Sequence, residues 1–207
     1  MTSPLYTGES GPLPKGVATK TIGQVLEDLV DLVLQTMRTE GTVVEDYALA
    51  DKSNLPDFWV LTKDGREWLM ECKNIKKQVY DAGYKYSRVE HVMKRYVNNN
   101  IEWLQNPDWV NRFILDKDWE CKKFRTRGTS GHPSKLEITV KDASPILVVS
   151  HVDIFDPIAL ELILDFFHKN IVVAGRQVQW GKGIDQPFSS VLNRLIQIFN
   201  SKEDDES

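Results

Sequence analysis

Apolar positions along this chain follow a helical period first and a strand period next. From Thr21 to Arg38, the residues Ile22, Val25, Leu26, Leu29, Val33 and Met37 recur at spacings of three and four, which predicts a helix with one buried stripe. After Gly41, a weaker stretch from Thr42 to Leu49 predicts an edge strand. Asp57 to Thr62 is a short β-branched and aromatic run, apolar on both faces, and Glu67 to Lys73 forms a second run. Asp64-Gly65 between them is a hairpin signal, because both turn positions tolerate positive φ. Two antiparallel strands are expected, with Asp57 opening the first.

Beyond the hairpin, Val89, Val92, Met93, Tyr96, Val97, Ile101 and Leu104 repeat at helical spacing and predict a long helix ending near Gln105. A short helix from Trp109 follows, with Trp109, Val110, Phe113 and Ile114 on one face. Gly128 to Lys135 is small, polar and punctuated, and reads as a flexible loop. A strand at Ile146–Ser150, a helix opening at Asp156-Pro157 and a strand at Ile171–Ala174 make a βαβ unit. Phe188 to Phe199 closes the chain as an amphipathic helix through Val191, Leu192, Leu195, Ile196 and Phe199. This order implies an α/β fold, a mixed β-sheet flanked by helices on both faces. Residues 1–20, rich in Pro, Gly, Ser and Thr, read as a flexible N-terminal tail, 21–200 as a single domain, and 201–207 as a disordered acidic tail.

Composition narrows the function classes. At 207 residues and 41% hydrophobic content, the chain can bury one sizeable core. A net charge of −4 gives no bulk signal for a nucleic-acid binder, so such a role must rest on local basic surface. Cys72 and Cys121 are too few for a disulfide framework or an ordinary zinc site, and read as free thiols in a reducing compartment. With no bilayer-length apolar run and no signal-peptide pattern in the first residues, a soluble cytoplasmic protein without membrane association is expected. His91, His132, His151 and His168 show no paired metal spacing. The absence of a Gly-rich phosphate loop or a serine elbow disfavours a nucleotide cofactor, nucleotide hydrolysis and acyl transfer.

Candidate chemistry lies in the hairpin. Residues two apart in a strand share a face, so Glu71 and Lys73 project together while Cys72 points away. The pairing of the two strands brings Asp57 toward Glu71, giving a two-carboxylate site for a hard cation such as magnesium, which takes oxygen ligands and substrate phosphate oxygens. Lys73 would orient an attacking water or stabilise the transition state. Without the hairpin and Asp57, the favoured reading of Glu71 and Lys73 is a solvent-facing surface ion pair, and Asp57 reads also as a turn residue after proline.

Pro56-Asp57 followed by Glu71-Cys72-Lys73 resembles the signature of the PD-(D/E)xK nuclease superfamily. Glu27, in IGQVLEDLVDLV, matches the acidic residue that this superfamily places in a helix before the sheet, with Asp28 and Asp31 as alternatives. The resemblance spans roughly residues 21–105. It implies a restriction-endonuclease-like fold, catalytic Asp57, Glu71, Lys73 and Glu27, and Mg²⁺ (or Mn²⁺ in its place) held by Asp57, Glu71 and the Cys72 carbonyl. The implied partner is double-stranded DNA and the implied activity a type II restriction-like endodeoxyribonuclease, possible as a homodimer. A junction-resolving or mobile-element nuclease, or a non-catalytic nucleic-acid-binding subunit keeping the fold, are the alternatives.

The pattern occurs twice. Pro107-Asp108 followed by Glu120-Cys121-Lys122 repeats it, but the intervening WVNRFILDKDW has helical spacing and no Asp-Gly turn, and Asp108 stands where a helix N-cap belongs. The first copy is therefore chosen. Between Lys73 and Arg95 the chain carries five net positive charges, with Lys76, Lys77, Lys85, Arg88, Lys94 and Arg95 available for phosphate contact. Tyr80, Tyr84 and Tyr86 lie among them and are available for stacking, a solvated helix start being the equal alternative. Lys122, Lys123, Arg125 and Arg127 form a second basic run, a candidate substrate clamp leading into the 128–135 loop.

Overall fold

A computed structural model of the chain describes residues 22–51, 54–74, 107–127, 136–150, 152, 155–175, 178 and 184–201. The expected helix over Val89 to Gln105, the expected loop over 128–135, and residues 1–21 and 202–207 lie outside this set. Helix α1, Ile22–Thr39, buries Val25, Leu26, Leu29, Val33 and Met37 as the spacing predicts. Val30 and Leu34 are also fully buried, because α1 packs on the sheet and against a second helix at once, which widens the apolar stripe. Its end is closed by Thr42, whose N–H donates to the Met37 carbonyl, and by Gly41 at φ 63.

The main sheet has five strands in the order β1 (Val44–Leu49), β2 (Phe58–Thr62), β3 (Glu67–Lys73), β6 (Ala143–Val149), β7 (Ile171–Val173). The first three are antiparallel; β3–β6 and β6–β7 are parallel, so the sheet is mixed as expected. The hairpin forms between β2 and β3, but of its Asp-Gly pair only the glycine takes positive φ. Thr62 N donates to the Arg66 carbonyl, leaving a three-residue loop in which Gly65 stands at φ 86; among the described residues Asp64 is not at positive φ. Asp64 instead accepts from the Thr62 hydroxyl at 2.6 Å and from Arg66 Nε at 2.8 Å, which fixes the turn through its side chain.

Helices α2 (Pro107–Asp116), α3 (Pro157–Phe167) and α4 (Asp185–Asn200) are the other helices among the described residues. Asp156 caps α3, accepting from the N–H groups of Ile158 and Ala159. Helices α1 and α4 cover one sheet face over Phe58, Val60, Trp68, Met70, Cys72, Ile146 and Val148. Helices α2 and α3 cover the other, over Trp59, Leu69, Leu147 and Val149. Strand β3 is therefore buried on both sides along most of its length.

Two short strands were not legible in the sequence. Strands β4 (Lys123–Arg125) and β5 (Glu137–Thr139) pair as an antiparallel ribbon. The ribbon covers the end of edge strand β1: Asp51 N donates to Arg125 O, Arg127 N to Leu49 O, and Ala50 bridges Thr126. At the chain's other end, Ser201 caps α4 and its carbonyl accepts from Arg66 at 2.8 Å. No helix among the described residues is long and apolar enough to cross a membrane.

Candidate active site

Strand pairing and a single proline set the geometry of the site. The β2–β3 register runs Phe58 opposite Met70, so its continuation would set Pro56 opposite Cys72. Proline has no N–H, and the ladder cannot continue at that step. The Cys72 N–H instead donates to Asp57 Oδ2 at 2.8 Å. Asp57 thus stands one residue before β2 rather than within it, held to the motif strand by its own carboxylate. A strand residue's N–H and C=O point to the same side, so the Cys72 carbonyl faces this flank too. The Asp57 carbonyl accepts from Ala50 N at 2.9 Å, which ties the residue to β1 as well.

Glu71 and Lys73 project together toward α2, as the strand period requires. Lys73 Nζ donates to Glu71 Oε1 at 2.6 Å and lies 4.9 Å from the centre of the Phe113 ring. Glu71 is a buried carboxylate, 1% exposed, which demands charged partners. A second partner, Lys117, stands 3.1 Å from Oε2, yet that oxygen receives no hydrogen bond among the described residues. Nothing local to Lys117 points to this role: between Asp116 and Asp118 it reads as an exposed charge.

Glu27 reaches the same end of the sheet from α1. Burial pushes its carboxyl up, opposed by the charge of Arg127, and the charges of Glu71 and Asp28 push the same way as burial. Arg127 Nη2 lies 4.0 Å from Glu27 Oε2. Of the alternatives, Asp31 is committed elsewhere, accepting from the Tyr47 hydroxyl at 2.8 Å. Burial, then the charges of Glu71 and Glu27, push Asp57 up to about 7, against the hydrogen bond from Cys72 and the charge of Lys73. For Lys73, burial disfavours the ammonium, but Glu71 outweighs it and the group is held above its ordinary range. The Cys72 thiol, buried on the opposite face of the strand, is raised well above its ordinary value by burial and the surrounding carboxylates. It is a core residue, with only its backbone at the site.

These carboxylates fit a divalent cation in two respects. Glu71 has a buried oxygen without a hydrogen bond, and the Asp57 carboxylate is disfavoured by burial and then by its acidic neighbours, a cost that a cation would relieve. Among the described residues no group of three or more His, Cys, Asp and Glu side chains forms a ready metal cluster. The fit therefore rests on Asp57, Glu71 and backbone.

The second copy of the motif is dispersed. Asp108 lies in the first turn of α2 and is exposed, and Glu120 and Lys122 are exposed before β4 begins. Of the second basic run, Lys123 pairs with Glu137 at 2.8 Å and Arg125 lies 3.4 Å from the same carboxylate, so the charge it can offer a phosphate is partly neutralised. The residues Lys76, Lys77, Lys85, Arg88, Lys94 and Arg95, with Tyr80, Tyr84 and Tyr86, lie outside the described residues. No protein-family model, curated protein or solved structure matches this chain, so a functional reading rests on the chemistry of Asp57, Glu71, Lys73 and their neighbours.

Proposed function

We propose that this chain is a magnesium-dependent nuclease that hydrolyses DNA phosphodiester bonds. The observation that carries the reading is the hydrogen bond of Asp57 to the backbone of Cys72, which seats one carboxylate beside the paired Glu71 and Lys73. Asp57, Glu71 and the Cys72 carbonyl would hold the cation. When bound, magnesium lowers the pKa of water and neutralises charge on a phosphate. Lys73 stays protonated, so Nζ acts as a cation that orients the attacking water or meets developing charge, and not as the base. Glu27 adds negative charge at the edge of the site, its own charge moderated by Arg127. Double-stranded DNA, type II restriction-like cutting, homodimer formation and manganese substitution are the finer parts of the proposal, and they follow from the motif resemblance.

The test incubates the purified protein with plasmid, single-stranded and branched DNA and with RNA, in magnesium or chelator, beside Lys73→Ala. Magnesium-dependent cleavage that Lys73→Ala sharply lowers is the expected result. A discrete fragment ladder would support restriction-like specificity, and cutting confined to branched DNA would reassign the substrate to junctions. Binding without cleavage of any substrate would overturn the catalytic reading in favour of a nucleic-acid-binding subunit.

A further inference from the structure

Lys117 is a nearly buried ammonium at a carboxylate whose charge another lysine already meets. Its side chain is 13% exposed, and it follows α2 directly. Lys73 forms the hydrogen bond to Glu71, through Oε1 at 2.6 Å. Lys117 stands 3.1 Å from Oε2, where no hydrogen bond is made, and donates instead to the Leu55 carbonyl at 3.1 Å. The neighbouring Asp118 N–H donates to Asn54 O at 3.1 Å, so this segment grips the chain just before Pro56-Asp57 at two points. Trp119 anchors the segment, its ring edge-on to Phe113 and Phe167 at 6.1 and 5.2 Å between centroids.

We propose that Lys117 is a positioning residue that serves as a tethered counter-ion, lending Glu71 Oε2 a positive charge until a divalent cation takes that place. This rests on the nuclease reading. The physical basis is the division of its contacts: the directional bond goes to Leu55, while Oε2 receives charge alone. An oxygen stabilised by charge without a hydrogen bond keeps its lone pairs available to a hard cation. The tether keeps the displaced ammonium beside the site, and Lys117 therefore weakens divalent binding while holding Asp57 and Glu71 in place.

The experiment measures Mn²⁺ binding to the full chain by titration calorimetry, with no nucleic acid present. Lys117→Gln keeps a donor for Leu55 O and removes the charge; it is expected to bind Mn²⁺ about tenfold tighter, the scale of one ammonium acting on a half-screened ligand oxygen. Lys117→Arg is expected to match the wild type. A purely structural lysine predicts lower melting temperature with unchanged or weaker Mn²⁺ affinity, and that result overturns the proposal. Wild-type binding that Lys117→Gln leaves unchanged overturns this inference alone, whereas no binding to either protein overturns the metal-site reading with it. Should Lys117→Gln not fold, the Nζ resonance of Lys117 in the wild type is followed as Mg²⁺ is added. A shift that saturates with the metal supports displacement, and an unmoved resonance refutes it.

Discussion

Replacing Asp57 with asparagine should stabilise the metal-free protein, although it removes a residue the proposed chemistry requires. The folded Asp57 carboxyl is pushed up to about 7 from its ordinary 3.8, by burial first and then by Glu71 and Glu27. A carboxyl with a raised folded pKa favours the unfolded state once it ionises there. The cost is absent below the unfolded value of about 3.9, grows as pH rises, and is complete above about 7. At about 1.4 kcal/mol per pH unit the ceiling is about 4 kcal/mol; because the carboxyl is half-buried, hydration reduces the expected figure to about 2 kcal/mol. Asparagine keeps an oxygen that can accept from Cys72 N and removes the charge. Urea denaturation in chelator is the assay. At about pH 8 Asp57→Asn should exceed the wild type by about 2 kcal/mol, and the margin should shrink toward about pH 5 as the wild-type carboxyl takes up its proton. Magnesium should then stabilise the wild type by mass action and leave the variant unmoved. A variant less stable than the wild type at the higher pH, or a margin that does not change with pH, would refute the assignment of a repelled carboxylate.

Three further outcomes follow from individual positions. Lys73→Ala should lower cleavage by about 100- to 1000-fold, the scale of one charge-stabilising donor, while Lys122→Ala in the dispersed copy leaves it within about twofold; plasmid-nicking rates compare them. Leu69→Ala, at a fully buried position beneath α2 and α3, should cost about 2–5 kcal/mol in chemical denaturation, through lost burial and the cavity it leaves. Gly65→Ala should cost about 1 kcal/mol and lower the melting temperature: the φ of 86 strains any side chain, although no heavy atom within 4 Å would meet the new methyl group.

Periodicity sufficed where an element was long and its burial one-sided or complete. The α1 stripe, the β2–β3 pair and the βαβ unit all carried enough apolar positions to be read. It failed for β4 and β5, which have three residues each and mostly exposed side chains, so no alternation accumulates. The hairpin was legible and its loop was not, because Asp64 meets the turn's needs by accepting hydrogen bonds and not by adopting positive φ. At the site, Glu71 and Lys73 followed from strand parity alone. Lys117 did not, since its place beside Glu71 depends on how α2 packs across the sheet, a tertiary fact with no local trace.

The repeated motif shows why a short pattern acquires meaning only from the elements around it. Pro-Asp opens both copies, and proline's missing N–H has opposite consequences in the two. Pro107 is the first residue of α2, where a helix needs no donor, and the helical spacing after it carries Asp108 away into solvent. Pro56 precedes a strand, where the missing donor ends the ladder opposite Cys72 and turns that N–H toward Asp57. The second copy nevertheless acts on the first. Its helix places the Phe113 ring beneath Lys73, and the segment after the helix brings Lys117 to Glu71. The segment between the residues that imitate the motif thus supplies, in space, the wall against which the motif's own side chains are set.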